Sequence, residues 1–281
     1  MIFSRLPVDF VSSRYLTVST MRLLERKNDG EFSLTEFSDT NIPRYAILSH
    51  TWEVDSEEVT FRDMIEGSGN SKVGYEKIRF CGQQAARDDL RYFWVDTCCI
   101  DKSSSAELAE AINSMFRWYN DAARCYVYLS DVSVCDYELS RFIWEPAFRK
   151  CRWFTRAWTL QELLAPRSVE FFSAQGQRLG DKRSLEQQIH EITGISIQAL
   201  RGTPLLHFSV DERMSWAAKR EAKREEDMAY SLLSFFDVQM PLLYGERKTK
   251  AFIRLQEEID KSLKSEFYFI FSSIPTTPFD T

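Results

Sequence analysis

No C-x-x-C pair occurs among the six cysteines, at positions 81, 98, 99, 125, 135 and 151, which argues against a zinc site or a disulfide framework. Read in a strand, Cys98 and Cys99 point to opposite sides of it. Most of these thiols lie in or beside apolar runs, where a free cysteine behaves as a small buried hydrophobe, so a reducing, cytoplasmic setting is expected. No apolar run approaches the roughly 18 to 20 residues of a membrane span. Residues 1–20 carry Arg5, Asp9 and Arg14 without a sustained apolar segment and read as an N-terminal extension, not a secretory signal. Positive charge is not in excess either. Thirty-six Lys plus Arg against 42 Asp plus Glu leave a formal charge of −6, which argues against a nucleic-acid surface spread over the domain. There is no internal repeat, and Gly67-Ser68-Gly69 lacks both the lysine and the strand-to-helix setting of a phosphate loop.

What is present is a core. The chain of 281 residues is 44% hydrophobic and 14% aromatic, enough for one large domain or two modest ones. Residues 21–37 alternate loosely around Asn28-Asp29-Gly30, which suggests a hairpin at an edge. Tyr45 to Trp52 is an apolar run that turns polar at its end and is expected to be the first core strand. Ser71 to Arg91, with Val73, Ile78, Cys81, Ala85 and Leu90 near helical spacing, reads as an amphipathic helix. Tyr92 to Ile100 reads as a second buried strand ending at Asp101 and Lys102. Ser104-x-x-Glu107 is a capping-box signature for a helix whose stripe of Leu108, Ile112, Met115, Phe116 and Tyr119 reads as core and not as a cofactor box. Arg124–Leu129 is a third strand, 132–150 is irregular, and Val169–Ser173 is a fourth strand.

Strands alternating with helical patterns imply an α/β fold: a parallel sheet flanked by helices, with polar strand tips gathered along its carboxyl edge. Ser49, His50, Trp52, Asp96, Asp101 and Asp131 would line that rim. Residues 21–175 are therefore assigned to an α/β core. From 176 to 265 the texture becomes helical, with Ser184-x-x-Gln187 and Ser209-x-x-Glu212 as caps and Gly194 as a stop. Lys219–Asp227 reads as a solvated, mixed-charge face or connection, Met228–Phe236 as an apolar helix, and Ala251, Phe252, Leu255 and Ile259 as a last amphipathic one. Residues 266–281 read as a tail.

The chain is organised around Phe154 to Pro166. Thr155 can cap a helix that Pro166 ends, a segment of two to three turns. Trp158 and Glu162 then lie one turn apart on one face of a segment apolar enough to be buried. Such a carboxylate has two explanations: a buried pair with an arginine such as Arg152 or Arg156, or a catalytic role. The rim residues carry similar alternatives. His50 is either a ligand contact or a strand-tip histidine satisfied by backbone. Asp96 either meets a ligand or bonds a neighbouring loop's amides, and Asp101 either does so or initiates the turn ahead of Ser104. Neither Cys98 nor Cys99 has an evident base other than His50, so a cysteine hydrolase ranks third.

Three blocks, Tyr45-Ala-Ile-Leu-Ser-His-Thr-Trp52, Phe93-Trp-Val-Asp-Thr-Cys-Cys-Ile-Asp101 and Trp158-Thr-Leu-Gln-Glu-Leu-Leu-Ala-Pro166, resemble in order the signature blocks of the fungal heterokaryon-incompatibility (HET) domain. The similarity continues to Pro241-Leu-Leu-Tyr-Gly-Glu246. Trp158-Thr-Leu-Gln-Glu162-Leu163 is similar to the Trp-Cys-x-x-Glu-Leu helix of TIR domains, whose Glu is catalytic in the members that cleave NAD. The sequence departs from the family at Glu53, Ala157, Ser234, Asp237 and Arg247, where glycine is usual.

The resemblance implies an α/β core whose parallel sheet is TIR- or flavodoxin-like, and a cell-death effector of heterokaryon incompatibility or innate immunity. It further implies an NAD(+) nucleosidase activated by oligomerisation, with Glu162 as the catalytic residue. Ser49, His50, Trp52, Asp96, Asp101 and Trp158 would be the nucleotide contacts. NAD is then a substrate, and neither a cofactor nor a metal is expected. Expected partners are NAD or a related nucleotide, further copies of the chain, and a nucleotide-binding receptor with repeats. Breaking the nicotinamide–ribose bond builds positive charge on the sugar, which one carboxylate can stabilise. The leaving pyridinium is already cationic and needs no partner acid. The alternative is a non-enzymatic adaptor that passes a death signal through protein contacts.

Overall fold

Every residue of Tyr45–His50 is buried, as a strand covered on both faces of a parallel sheet requires. The computed structural model describes residues 20–27, 30–134 and 141–272. Its elements are β1 (Thr20–Arg26), β2 (Phe32–Ser38), β3 (Tyr45–His50), α1 (Phe61–Glu66), α2 (Tyr75–Arg87), β4 (Tyr92–Trp94), α3 (Asp96–Cys99), α4 (Ser105–Asp121) and β5 (Arg124–Tyr128). They continue with α5 (Arg141–Lys150), α6 (Thr159–Leu164), β6 (Val169–Phe172), β7 (Arg178–Asp181), α7 (Glu186–Thr193), α8 (Ile197–Leu200), α9 (Val210–Ser215), α10 (Asp227–Tyr230) and α11 (Arg247–Ser272). No helix among the described residues is long and apolar enough to cross a membrane.

The seven strands form one sheet in the order β2-β1-β4-β3-β5-β6-β7. Its centre, β4-β3-β5-β6, is parallel, and antiparallel pairs close it at both sides. The fold is α/β. Taken alone, the parallel strands run second, first, third, fourth, which is the beginning of the flavodoxin-like order. The order reverses between β3 and β5, so the crevice beyond their carboxyl ends is where such sheets accept ligands. Ser49 and His50 end β3 at that crevice, in register with Val127 and Tyr128 of β5.

Several expectations change. The second strand stops at Trp94, and Asp96 opens the short helix α3 instead of lying inside a strand; Cys98 and Cys99 are both buried on that helix. The amphipathic helix begins at Tyr75, not Ser71, because Gly69–Ser71 forms a separate 3-10 turn and Val73 is exposed. Arg141–Lys150 is helical despite Pro146. Ser184 does not cap α7: its hydroxyl bonds the backbone of Asp181, and Leu185 holds the cap position. The stretch 228–236 divides into α10 and a 3-10 turn, and the region after 176 contributes strand β7. Helix α11 runs to Ser272, into the expected tail. The expected extension up to residue 19, the turn residues Asn28 and Asp29, and residues 273–281 lie outside the described residues.

The positions where glycine is usual separate into two groups. Asp237 and Arg247 have φ of 52° and 67°, in the left-handed region that favours glycine. Glu53 and Ala157 are not there: Ala157 is buried and donates its amide to the Glu221 carbonyl.

Candidate functional site

Six residues make α6, fewer than the two to three turns expected, and Thr155 does not cap it. Thr155 ends a preceding 3-10 turn and its hydroxyl donates back to the Arg152 carbonyl at 2.8 Å. Trp158 occupies the cap position in helical geometry, and the Glu162 amide reaches the Trp158 carbonyl, so the two side chains do stand one turn apart.

Buried cations hold both ends of this helix. At its start, Arg220 donates to the Arg156 carbonyl and the Thr159 hydroxyl, each at 2.8 Å. At its end, Lys182 donates to the carbonyls of Leu163 and Pro166 at 3.1 and 2.6 Å, the favourable charge for a helix C-terminus. Burial pushes the Lys182 ammonium down to about 8 and the Arg220 guanidinium down to about 9, the latter opposed by Glu162. A short helix that would fray alone is thereby immobilised.

Helix α6 carries Glu162 into the wall of a cavity of about 370 Å³, within the range of small-molecule pockets. The Ser49 hydroxyl donates to the Glu162 carboxylate at 2.5 Å and itself accepts the Trp153 indole N–H at 2.8 Å. Tyr119, whose hydroxyl donates to the Leu48 carbonyl at 2.9 Å, stands against the same carboxyl. Burial pushes the Glu162 carboxyl up to about 8; the Ser49 hydrogen bond opposes the shift, Asp96 adds to it, and Tyr119 and Arg220 oppose it. The sequence reading took this acid as charged. Burial favours its neutral form, because the hydroxyls and the Arg220 guanidinium do not replace the lost water.

The arginines proposed as its clamp are elsewhere. Arg152 turns to Asp131, 4.0 Å away, and Arg156 lines the cavity without pairing to Glu162.

A second cluster lies beside it. His50 reaches the Thr51 carbonyl through Nδ1 at 3.2 Å and Asp96 through Nε2 at 2.9 Å. Asp96 also accepts the Trp52 indole N–H at 3.0 Å and meets Lys102 at 3.4 Å. The Lys102 ammonium sits 3.8 Å from the centre of the Trp52 ring. Burial opposes ionisation of Asp96 most strongly, yet Lys102, the His50 hydrogen bond and Lys77 together hold its carboxyl well below the usual range.

His50, Trp52, Asp96, Trp158 and Glu162 all line the cavity, and Ser49 reaches it through Glu162. Asp101 is not brought there. Its carboxylate accepts from the amide and hydroxyl of Ser103, and its amide donates to Glu107, a turn ahead of α4. Asp131 is likewise apart, accepting the Arg152 amide.

Sequence reasoning missed three sets of cavity residues. Leu108, Ile112, Met115 and Tyr119 form its apolar side, so the α4 stripe is core and cavity wall together. Lys223, Arg224 and Asp227 come from the supposed solvated run, in which Arg220 and Glu226 are in fact buried. That run is pinned by paired backbone hydrogen bonds between Glu221 and residues 155 and 157. Tyr244 donates to Asp227 at 2.9 Å, and the block Pro241–Glu246 was the signal that could have found it. Cys98, Cys81 and Cys125 are sealed and burial pushes their thiols well up, away from the thiolate that a cysteine hydrolase needs.

A crevice beyond parallel strands, with a carboxyl at its wall and aromatic and basic groups around it, defines the class: an α/β domain with a cavity of small-molecule size. Residues 45–145 match the family described as heterokaryon incompatibility protein (HET). The chain is also 60% identical over 246 residues to the vegetative incompatibility protein HET-E-1 of Podospora anserina, an alignment that spans 86% of this chain and 18% of that protein. The chain is a fungal heterokaryon-incompatibility domain protein. It spans about a fifth of the length of this relative. No solved structure matches it.

Proposed function

We propose that this domain acts in fungal incompatibility as a TIR-like NAD(+) nucleosidase, with Glu162 as its catalytic residue. The observation that carries this is the place of the Glu162 carboxyl. It stands in a cavity wall at the carboxyl ends of the parallel strands, and its contacts are hydroxyls in place of an arginine clamp. A structural ion pair would have been complete without a cavity.

The chemistry follows from that environment. The pyridinium of a bound substrate brings a fixed positive charge next to Glu162 and draws the carboxyl into its anionic form. The bond between ribose C1′ and the nicotinamide nitrogen breaks, and its electron pair stays on nicotinamide, which leaves neutral. The carboxylate stabilises the oxocarbenium character left on the sugar. Water adds to C1′ and releases a proton, giving ADP-ribose, nicotinamide and H⁺. Trp158 and Trp52 offer ring faces for the base, and the His50–Asp96 pair offers polar groups for ribose hydroxyls. Self-association activates the domain in this reading.

Purified protein, concentrated or fused to a multimerising tag, is expected to release nicotinamide from NAD. Glu162→Gln should remain folded and lose at least about 100-fold in kcat, the scale of a lost charge-stabilising group. No release by the native protein in either state would overturn the enzymatic reading and leave the adaptor role.

A further inference from the structure

The cavity holds four acidic and four basic side chains, and they are not evenly matched. Lys102 faces Asp96, and Lys223 pairs with Asp55 at the rim, where their side chains are 58% and 72% exposed. Asp227 is taken by the Tyr244 hydroxyl and the Trp158 side chain, with Arg224 acting on it only as a neighbouring charge beyond ion-pair contact. Glu162 is taken by Ser49. That leaves Arg156 and Arg224. Both line the cavity, and among the described residues neither guanidinium lies within ion-pair distance of a carboxylate. Arg224 instead lies over the Tyr244 ring, 4.2 Å from its centre. A planar guanidinium held on an aromatic face keeps its edge N–H groups free for an incoming anion.

The two arginines come from segments joined by backbone. The Ala157 amide donates to the Glu221 carbonyl at 2.8 Å, and the Glu221 amide donates to the Thr155 carbonyl at 2.6 Å. This bridge fixes the strand-like turn that bears Arg156 beside the run that bears Arg224. Two guanidiniums without a carboxylate in contact are therefore built into the wall of the cavity. These guanidiniums stand in a domain whose overall charge balance is negative.

We propose that Arg156 and Arg224 form a phosphate subsite that selects a nucleoside diphosphate over the bare nucleoside at this cavity. The proposal rests on the nucleotide reading of the site and adds a polarity to it. Glu162 and Ser49 receive the cationic ring and its ribose, and the two guanidiniums receive the diphosphate. Guanidinium matches phosphate geometry with paired hydrogen bonds, so the arginines set affinity and orientation without entering the bond-breaking step. They are specificity-determining residues.

Binding separates this proposal from the catalytic one. Titration calorimetry with ADP-ribose and with nicotinamide riboside is done on the native chain and on Arg156→Gln, Arg224→Gln and the double variant, with a thermal melt of each. ADP-ribose should bind with an affinity that falls steeply with added salt. Each single variant should weaken it about tenfold or more, and Arg224→Lys should recover part of the loss. Nicotinamide riboside should bind weakly to all forms alike. Unchanged ADP-ribose affinity in the double variant, or nicotinamide riboside binding as tight as ADP-ribose, would overturn the subsite. Arginine-dependent binding of ADP-ribose without any nicotinamide release would uphold the subsite while the hydrolase reading fell. Nicotinamide release from NAD that both arginine variants retain in full would do the reverse.

Discussion

The Ser49 hydroxyl donates to the Glu162 carboxylate at 2.5 Å across 113 residues of chain. It joins the carboxyl end of strand β3 to helix α6, and it brings the first and third signature blocks into one contact. Ser49 is buried between that carboxylate and the Trp153 indole, donating to the carboxylate and accepting from the indole N–H. The proposed chemistry and the packing of the site therefore pass through one hydroxyl.

Ser49→Ala is expected to act on both. It leaves the buried Trp153 N–H without an acceptor, at a cost of about 1–3 kcal/mol in stability. It also removes the hydrogen bond that favours the Glu162 anion, so the carboxyl rises above about 8. A lower melting temperature together with a pH–activity profile displaced to higher pH checks this; a melting change alone would leave Ser49 a packing residue.

The pH dependence of stability reports Glu162 without any substrate. Its folded value of about 8 lies above the ordinary 4.5. The protein therefore carries no penalty from it below about pH 4.5, and loses stability as pH rises toward 8 and the buried carboxyl is forced to ionise. Glu162→Gln lacks that penalty. The variant and native melting curves should be close at pH 4.5 and diverge by a few kcal/mol in the variant's favour by pH 9. Parallel curves across that range would show that the carboxyl is not isolated from water.

Activity should follow the same group in the opposite sense. In the proposed reaction the anion does the work, so kcat/KM for NAD should rise with pH up to about 8, the value for the free protein. The substrate's positive charge lowers that value in the complex, so kcat should level off at a lower pH than kcat/KM. Measuring both profiles, with Glu162→Asp as a control for position, tests the assignment.

Asp96→Asn should separate the rim cluster from the catalytic group. It removes the charge that holds His50 and Lys102 and weakens the acceptor for the Trp52 indole. KM for NAD should rise several-fold more than kcat falls. Because the Asp96 carboxyl is held below its usual range, its stabilising contribution is present above about pH 4 and disappears as pH falls. The stability gap between Asn variant and native protein should therefore close in acid.

Arg247 has φ of 67° and an exposed side chain. Arg247→Gly should relieve that backbone at no loss of packing and raise stability by up to about 1 kcal/mol. The melting temperature decides it.

Much of this protein follows from local chemistry. The alternation of apolar runs and helical stripes placed β3, β4, β5 and β6 in sequence, since a strand covered on both faces must be apolar along its length. Ser104 and Ser209 were readable as caps because a cap needs only a hydroxyl and an amide three residues on, and both pairs formed. The spacing of Trp158 and Glu162 put them one turn apart whatever surrounded them.

The surroundings were decided by the tertiary structure. Lys219–Asp227 has the composition of a solvated connection, yet its backbone pairing with residues 155–157 buries Arg220 and turns Lys223, Arg224 and Asp227 into a cavity wall. The α4 stripe has one periodicity whether it meets another side chain or an empty space. Asp96 and Asp101 end the same apolar run, and only the turn at α3 sends one to His50 and the other to Ser103. Whether the Glu162 proton stays or leaves depends on water removed by elements distant in the chain, among them β3 with Ser49, α4 with Tyr119 and the run that carries Arg220. Charge state is a property of that enclosure, and no stretch of sequence carries it alone.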